Sequence, residues 1–109
     1  LRQWMTANGH LPKESQLLAN FPNPFNPETW IPYQLTNSAS VSLIIYDVNG
    51  QVVRKIEVGH RLMGLYTTTD QAVYWDGRDD LGEIVTSGVY FYTLIADDFH
   101  QTKKMILLK

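Results

Sequence analysis

Four carboxylates, those of Asp76, Asp79, Asp80 and Glu83, fall within the stretch Trp75-Asp-Gly-Arg-Asp-Asp-Leu-Gly-Glu83. Oxygen ligands this close in sequence could gather around a hard cation such as calcium. Their spacing departs from the helix-flanked calcium loop, which closes on a glutamate at its twelfth position. Gly77 and Gly82 in the same stretch, together with the aspartates, are equally what a hairpin turn demands. A turn accounts for these residues without a metal, and calcium is the alternative. The three histidines, His10, His60 and His100, sit in a linker, an expected loop and an expected hairpin arm. They form no pair at helical spacing, so surface histidines are the default reading rather than metal ligands. There is no cysteine, which removes thiol nucleophiles, thiolate ligands and disulfides. No nucleophile elbow, phosphate loop or dinucleotide fingerprint occurs. The expectation is a non-catalytic chain with no cofactor.

Aromatic side chains offer another kind of chemistry. Trp4, Trp30, Trp75, Tyr66, Tyr74 and Tyr90 are candidates for stacking on sugar rings. A small domain also needs large aromatics for its interior, and core or rim packing is the expected role of Trp30 and Trp75.

These candidates must be held by a fold of 109 residues, 44% hydrophobic, 12% aromatic and 18% charged. That balance belongs to a folded domain, and one domain of this length buries roughly two thirds of the surface its unfolded chain exposes. The net charge of −2, with basic residues scattered apart from Lys103-Lys104, gives no electrostatic reason to expect nucleic acid as a partner. No stretch approaches the ~18 apolar residues of a membrane-spanning helix, and no cationic start leads into an apolar signal core. The start at Leu1 reads as a cut from something longer.

Residues 1–7 read as the end of an upstream helix stopped by Asn8-Gly9, and His10 to Gln16, with Pro12, as a linker. The domain proper is expected over 17–109. Its first segment, Asn20 to Glu28, contains Pro22, Pro24 and Pro27, each of which fixes its own φ and restrains the residue before it. Phe21 and Phe25 are expected to anchor this stiff strap on the core, with Asn23 and Asn26 bonding nearby backbone. Strand-like runs follow. The first covers 29–35, where Pro32 argues for an edge strand or a bulge. Then come 41–47, an Asn49-Gly50 turn of the two-residue type I′ kind, and 51–58. In that returning arm Arg54 shares a face with Val52, Ile56 and Val58, so a rim position or, preferably, a bulge at Arg54 is expected. A connection over 59–64 precedes short strands at 66–69 and 72–75. A second hairpin turns through the acidic stretch into 84–86. Residues 89–96, apolar on both faces, read as a central strand, and Phe99 returns through to Lys109 as a terminal hairpin. About seven short strands with turn chemistry between them make an all-β, immunoglobulin-like antiparallel β-sandwich with an extended N-terminal linker.

Five segments in order carry a family resemblance: Asn20-Phe-Pro-Asn-Pro-Phe-Asn-Pro-Glu-Thr-Trp-Ile-Pro-Tyr-Gln-Leu35, Leu43-Ile-Ile-Tyr-Asp-Val-Asn-Gly-Gln-Val-Val-Arg54, Tyr74-Trp-Asp-Gly-Arg78, Thr86-Ser-Gly-Val-Tyr-Phe-Tyr92 and Lys103-Lys-Met-Ile-Leu-Leu-Lys109. Together they resemble the type A C-terminal sorting domains of type IX secretion and the related immunoglobulin-like domain of flagellar hook-capping proteins. The resemblance covers about residues 17–109. It implies a non-catalytic module at the C-terminus of an exported bacterial protein, read in the periplasm by an outer-membrane translocon and delivered to the cell surface. It places that signal on Gly88, Val89, Tyr90 and on Lys103, Lys104, Met105, Ile106, Leu107, Leu108 and Lys109, where the chain ends as such a signal should. It implies as partners the translocon, the surface-attachment machinery and the upstream cargo domain of the same chain, with removal of the domain and attachment of cargo to surface glycolipid. A monomer without a transmembrane segment is expected. Recognition by strand addition, or by shape and charge on the folded domain, are both open. The alternative is an immunoglobulin-like carbohydrate- or protein-binding or structural module of a surface protein.

Overall fold

The structure, a computed structural model, describes residues 12–109, and every regular element among them is a β-strand. The expected helix end, the Asn8-Gly9 stop, Trp4 and His10 lie outside the described residues. The strands are β1 (Gln16–Leu17), β2 (Thr29–Ile31), β3 (Tyr33–Leu35), β4 (Ala39–Tyr46), β5 (Val52–Arg61), β6 (Gly64–Tyr66), β7 (Val73–Trp75), β8 (Gly88–Ala96) and β9 (Phe99–Leu107). One layer is a four-stranded antiparallel sheet in the order β5-β4-β8-β9. The facing layer is made of β1-β3-β6 and β2-β7.

Thr29, Ile31, Tyr33 and Leu35 are all buried, so the strand period runs unbroken through β2 and β3 and both present the same face inward. Pro32 divides them because it has no N–H for a ladder. The run changes partner there, β2 pairing with β7 and β3 with β1 and β6. Pro32 therefore marks neither an edge nor a bulge: β3 lies between two neighbours, and the Pro32 carbonyl accepts from Leu18 N at 3.0 Å.

Alternation fills the space between the layers. Val41, Leu43 and Ile45 from β4, Tyr90, Tyr92, Leu94 and Ala96 from β8, and Met105 and Leu107 from β9 meet Leu17, Phe25, Ile31, Tyr33, Leu35, Val73 and Trp75. Full burial of each large side chain contributes roughly 1.5–3 kcal/mol. β8 is central, as its two apolar faces imply: Val89, Phe91 and Ile95 on its outer face are still half-buried.

Several local features differ from the sequence reading. The β4–β5 ladder shifts register on both sides of Arg54, leaving Val53 and Val58 as the extra residues. Arg54 itself stays opposite Ile45 in the core phase, at the rim, so the bulges flank it rather than fall on it. The bulge at Val53 turns that side chain onto the core and leaves Val52 exposed. The expected two-residue turn at Asn49-Gly50 is a three-residue one: Asp47 N bonds to Gln51 O and Gly50 N to Asp47 O, and only Gly50 takes positive φ, at 80°. The Asp47 carboxylate, which accepts from Asn49 N and Gln51 N, stabilises this wider loop. β5 continues to Arg61, so His60 lies on a strand and not in a loop. Residues 84–86 form no strand, only a single bridge from Ile84 to Arg78. β1 arises partly from Gln16, assigned by sequence to the linker. Asn23 bonds not to local backbone but to Ile106 N.

The proline-rich strap is tied at both ends. Asn20 N donates to the Tyr92 hydroxyl, which donates in turn to Leu18 O, each at 3.0 Å. The Asn20 side-chain amide bonds Thr29 Oγ1 and Pro22 O. At the other end Phe25 N donates to Ile106 O at 2.9 Å and Leu108 N to Phe25 O at 3.0 Å, while the Phe25 ring is buried 5.6 Å from that of Trp75.

Two buried phenols give the fold an alkaline limit. Burial pushes the Tyr33 hydroxyl up to about 12, against the opposing pull of the Arg61 guanidinium, and burial also raises Tyr92. A hydroxyl with a raised folded-state value contributes stability in full below its unfolded value near 10, and that contribution is lost as pH rises through the folded value. The Tyr33 oxygen also has no hydrogen-bond partner. Denaturant stability measured against pH should therefore decline across roughly pH 10–12. Tyr33→Phe should flatten part of that decline while costing little at neutral pH. Phe25→Ala should lower stability by about 3–5 kcal/mol in equilibrium unfolding, the cost of emptying a large core site.

Candidate docking pole at the C-terminal end

The residues proposed from sequence for recognition converge on one end of the β8–β9 hairpin. Gly88 pairs with Leu107, Val89 with Ile106 and Tyr90 with Met105. Lys103 and Lys104 lie further along, opposite Tyr92 and Phe91. Strand alternation divides them by availability. Tyr90, Met105 and Leu107 are core, whereas Gly88, Lys104, Ile106, Leu108 and Lys109 are exposed and Val89 and Lys103 half-buried. Lys109 N donates to Ser87 Oγ at 3.0 Å, which folds the last residue back against the start of β8.

The ring of Trp75 supports this end from within. It lies 5.6 Å from Phe25 and 5.8 Å, edge to face, from Tyr90, and its Nε1 donates to Arg78 O at 2.9 Å. The Tyr90 hydroxyl reaches Thr86 O at 2.7 Å. Both polar tips thus hold the 76–87 loop.

That loop contains the four carboxylates proposed as calcium candidates, and the structure does not turn them to a common centre. Asp76 Oδ1 accepts from Arg78 N at 3.0 Å and pairs with Arg54 Nη1 at 3.1 Å. Asp79 Oδ1 caps Leu81 N and Glu83 N, both at 2.9 Å. Asp80 Oδ1 accepts from Lys55 N at 3.1 Å and lies 3.8 Å from Arg54 Nε. Among the described residues no three acidic or imidazole groups gather as a metal centre. Three of the carboxylates are spent on turn amides and on Arg54, which also donates to Arg78 O. Arg54 is the anchor that sequence reasoning missed; its signal was an arginine in the core phase of a strand, preceding an acidic turn. Gly77 is required by contact as well as by its φ of +80°, since a Cβ there would lie 2.6 Å from Pro27 O.

Between this loop, the β4–β5 turn and the start of β8 opens a cleft of about 600 Å³, lined among others by Val48, Val52, Leu81, Ile84, Gly88 and Val89. On its rim Leu81 is 88% exposed, Val48 66% and Ile84 58%. These aliphatic side chains share the cleft with polar ones, among them Asp47, Asn49, Asp80 and Ser87. The outer edge of β9 beside this end is already occupied, because Ile106 N and O and Leu108 N bond to Asn23 Oδ1 and to the Phe25 backbone.

The upstream chain arrives at the opposite end. Lys13, Glu14 and Ser15 lie with Thr36 and with the Ala96–Phe99 turn around a second cleft, and Glu14 O accepts from Gln34 Nε2. The nine-residue strands β8 and β9 run between the two ends, a separation of about 30 Å at ~3.3 Å per residue.

A sandwich of this topology and composition matches the family model described as the FlgD Ig-like domain over residues 26–98. The chain belongs to that family. The immunoglobulin-like fold expected from sequence is thereby established, while the matched span stops before the Lys103 to Lys109 ending. Among solved structures the chain is similar to dimeric latent PorU from Porphyromonas gingivalis, with a TM-score of 0.65 and 20% identity over 92% of this chain and 10% of PorU. It is similar to PorZ, described as an essential surface component of the type IX secretion system of the same bacterium, with a TM-score of 0.56 and 21% identity over 84% of this chain and 11% of PorZ. It is also similar to FlgD from P. aeruginosa, with a TM-score of 0.54 and 22% identity over 89% of this chain and 70% of FlgD. At such identities the likeness is one of fold, and the chain spans about a tenth of PorU and PorZ. No curated protein matches. Among the described residues no helix is long and apolar enough to cross a membrane.

Gly77→Ala tests the packing of the acidic loop on the strap. The clash and the positive φ should together cost about 1–3 kcal/mol in thermal or urea unfolding.

Proposed function

We propose that this domain is a non-catalytic C-terminal sorting module, which directs an exported parent protein through the outer membrane to the cell surface by type IX secretion. The observation that carries this reading is polarity. The chain N-terminal to β1 joins at one end of the sandwich, and the candidate residues and an open cleft with exposed aliphatic side chains at its rim meet at the other, about 30 Å away. Cargo fused at the first end leaves the second free for a receptor. The family resemblance of the Gly88-Val89-Tyr90 step and the basic-apolar ending points to the same end, and PorZ, a neighbour in fold, belongs to that secretion system by its description.

The geometry favours one of the two modes of recognition. Strand addition requires a free edge, and near the C-terminus the β9 edge is bonded to Asn23 and Phe25. Recognition of the folded end by shape, through Leu81, Ile84, Val89 and the exposed Ile106 and Leu108, requires no displacement of the strap. The partners are then an outer-membrane translocon and the surface-attachment machinery, met from the periplasmic side by a monomeric domain.

The test is secretion of a fluorescent reporter carrying the 109-residue chain at its C-terminus, in a bacterium with an intact type IX apparatus and in its translocon-deficient twin. Surface or medium fluorescence should depend on the translocon, and Leu81→Ser with Ile84→Ser, which leave the core untouched, should hold the reporter in the periplasm. Retention of the folded parent fusion in both strains would refute the sorting role. Undiminished export of the double variant would remove the cleft from it.

A further inference from the structure

A row of aromatic rings lies on the outer face of β2 and β7. Trp30 and Tyr74 are cross-strand partners, on the side opposite the buried Thr29, Ile31, Val73 and Trp75. Phe21 flanks Trp30 on the other side, joined by Phe21 N to Trp30 O at 2.9 Å and Trp30 N to Phe21 O at 2.8 Å. The Phe21 and Trp30 centroids are 6.3 Å apart with planes inclined by 22°, and those of Trp30 and Tyr74 are 5.4 Å apart, inclined by 50°. Tyr74 is 45% exposed, and Phe21 and Trp30 are half-buried. Of the core or rim packing expected of the two tryptophans, Trp75 takes the core and Trp30, half-buried between Phe21 and Tyr74, the rim.

Cross-strand aromatic contact stabilises a sheet, which accounts for a pair of rings. Phe21 and Trp30 are bridge partners too, so the same contact accounts for the third ring, but not for a carboxylate held at the end of the row. Glu28 Oε1 accepts from the Tyr74 hydroxyl at 2.6 Å, which holds the phenol and leaves the other carboxylate oxygen as an acceptor beside the rings.

We propose that Phe21, Trp30 and Tyr74, with Glu28 at their end, form a platform that binds a chain of pyranose sugars. A pyranose ring presents an apolar C–H face ringed by hydroxyl donors. Aromatic faces match the first, and a pre-oriented carboxylate matches the second. The row crosses three backbone segments on an open face, so it offers no main-chain pairing of the kind an added peptide strand uses. A proline-rich peptide, the other ligand that aromatic surfaces take, lacks at each proline the N–H that Glu28 would accept.

The test uses the 109-residue chain with three soluble polysaccharides, a mixed-linkage β-glucan, a xylan and glycol chitin, in affinity electrophoresis and tryptophan-fluorescence titration. At least one should retard the chain, and Trp30→Ala and Tyr74→Ala should each weaken that binding by about tenfold or more. Tyr74→Phe, which keeps the ring, should weaken it less than Tyr74→Ala. Leu81→Ser, at the C-terminal end, should bind as the parent does. Thermal unfolding of each variant separates loss of the platform from loss of the fold, and Tyr74, being exposed, keeps the test open if Trp30→Ala unfolds. Absence of retardation by all three polysaccharides would overturn the proposal. So would binding undiminished in folded Tyr74→Ala, or binding of a proline-rich peptide through the same rings with no polysaccharide bound.

Discussion

The closure of the last strand by the proline-rich strap is the constraint on which this domain depends. Phe25 buries its ring against Trp75 while its backbone bonds on both sides to the edge of β9, and Asn23 takes the remaining outward amide of Ile106. An apolar strand at a sheet edge is otherwise open to pairing with another chain. Here the strap covers the end of that edge, and the terminal apolar residues face the core or solvent in a defined order. The prolines make this possible, because a segment with fixed φ angles loses little further freedom when it docks.

From that closure the rest of the C-terminal end follows. Trp75, held by Phe25 on one side and Tyr90 on the other, donates from its indole to the loop that carries Asp76, Asp79 and Asp80. Arg54 gathers the same loop from across the sandwich rim. The acidic stretch is thus a hydrogen-bonded structural turn, and its apolar members, Leu81 and Ile84, are held outward at the mouth of a cleft. The buried aromatics and Arg54 together shape the exposed surface at this end of the sandwich.

Membership of the FlgD Ig-like family and the similarity to PorU, PorZ and FlgD concern the scaffold. A sandwich of this kind serves many purposes, and function resides in the surfaces it carries. Two such surfaces are distinct here, the C-terminal end and the aromatic row on β2 and β7. They differ in chemistry: one presents aliphatic side chains around a cleft, the other three rings with a carboxylate.

Much of this was legible in the residues themselves. Alternation in 41–47 and 89–96 was enough to place β4 and a central β8, because a period of two assigns every side chain to one face or the other. The turn residues of the acidic stretch likewise announced a turn. Features that depend on partners distant in sequence were not legible. Whether Pro32 makes an edge or a break rests on which strand lies beside each half of the run. Whether Trp30 or Trp75 is core rests on which face of β2 and β7 meets the second layer. The bulges at Val53 and Val58 arise from accommodating β5 to β4, and the reach of Asn23 to Ile106 spans most of the chain. Local sequence determined the strands, their faces and the stiffness of the strap, since those depend on covalent geometry and short-range sterics. Only the tertiary structure decided which edges were closed, which aromatics were left in water and which carboxylates were already engaged, because each of these depends on what packs against the residue.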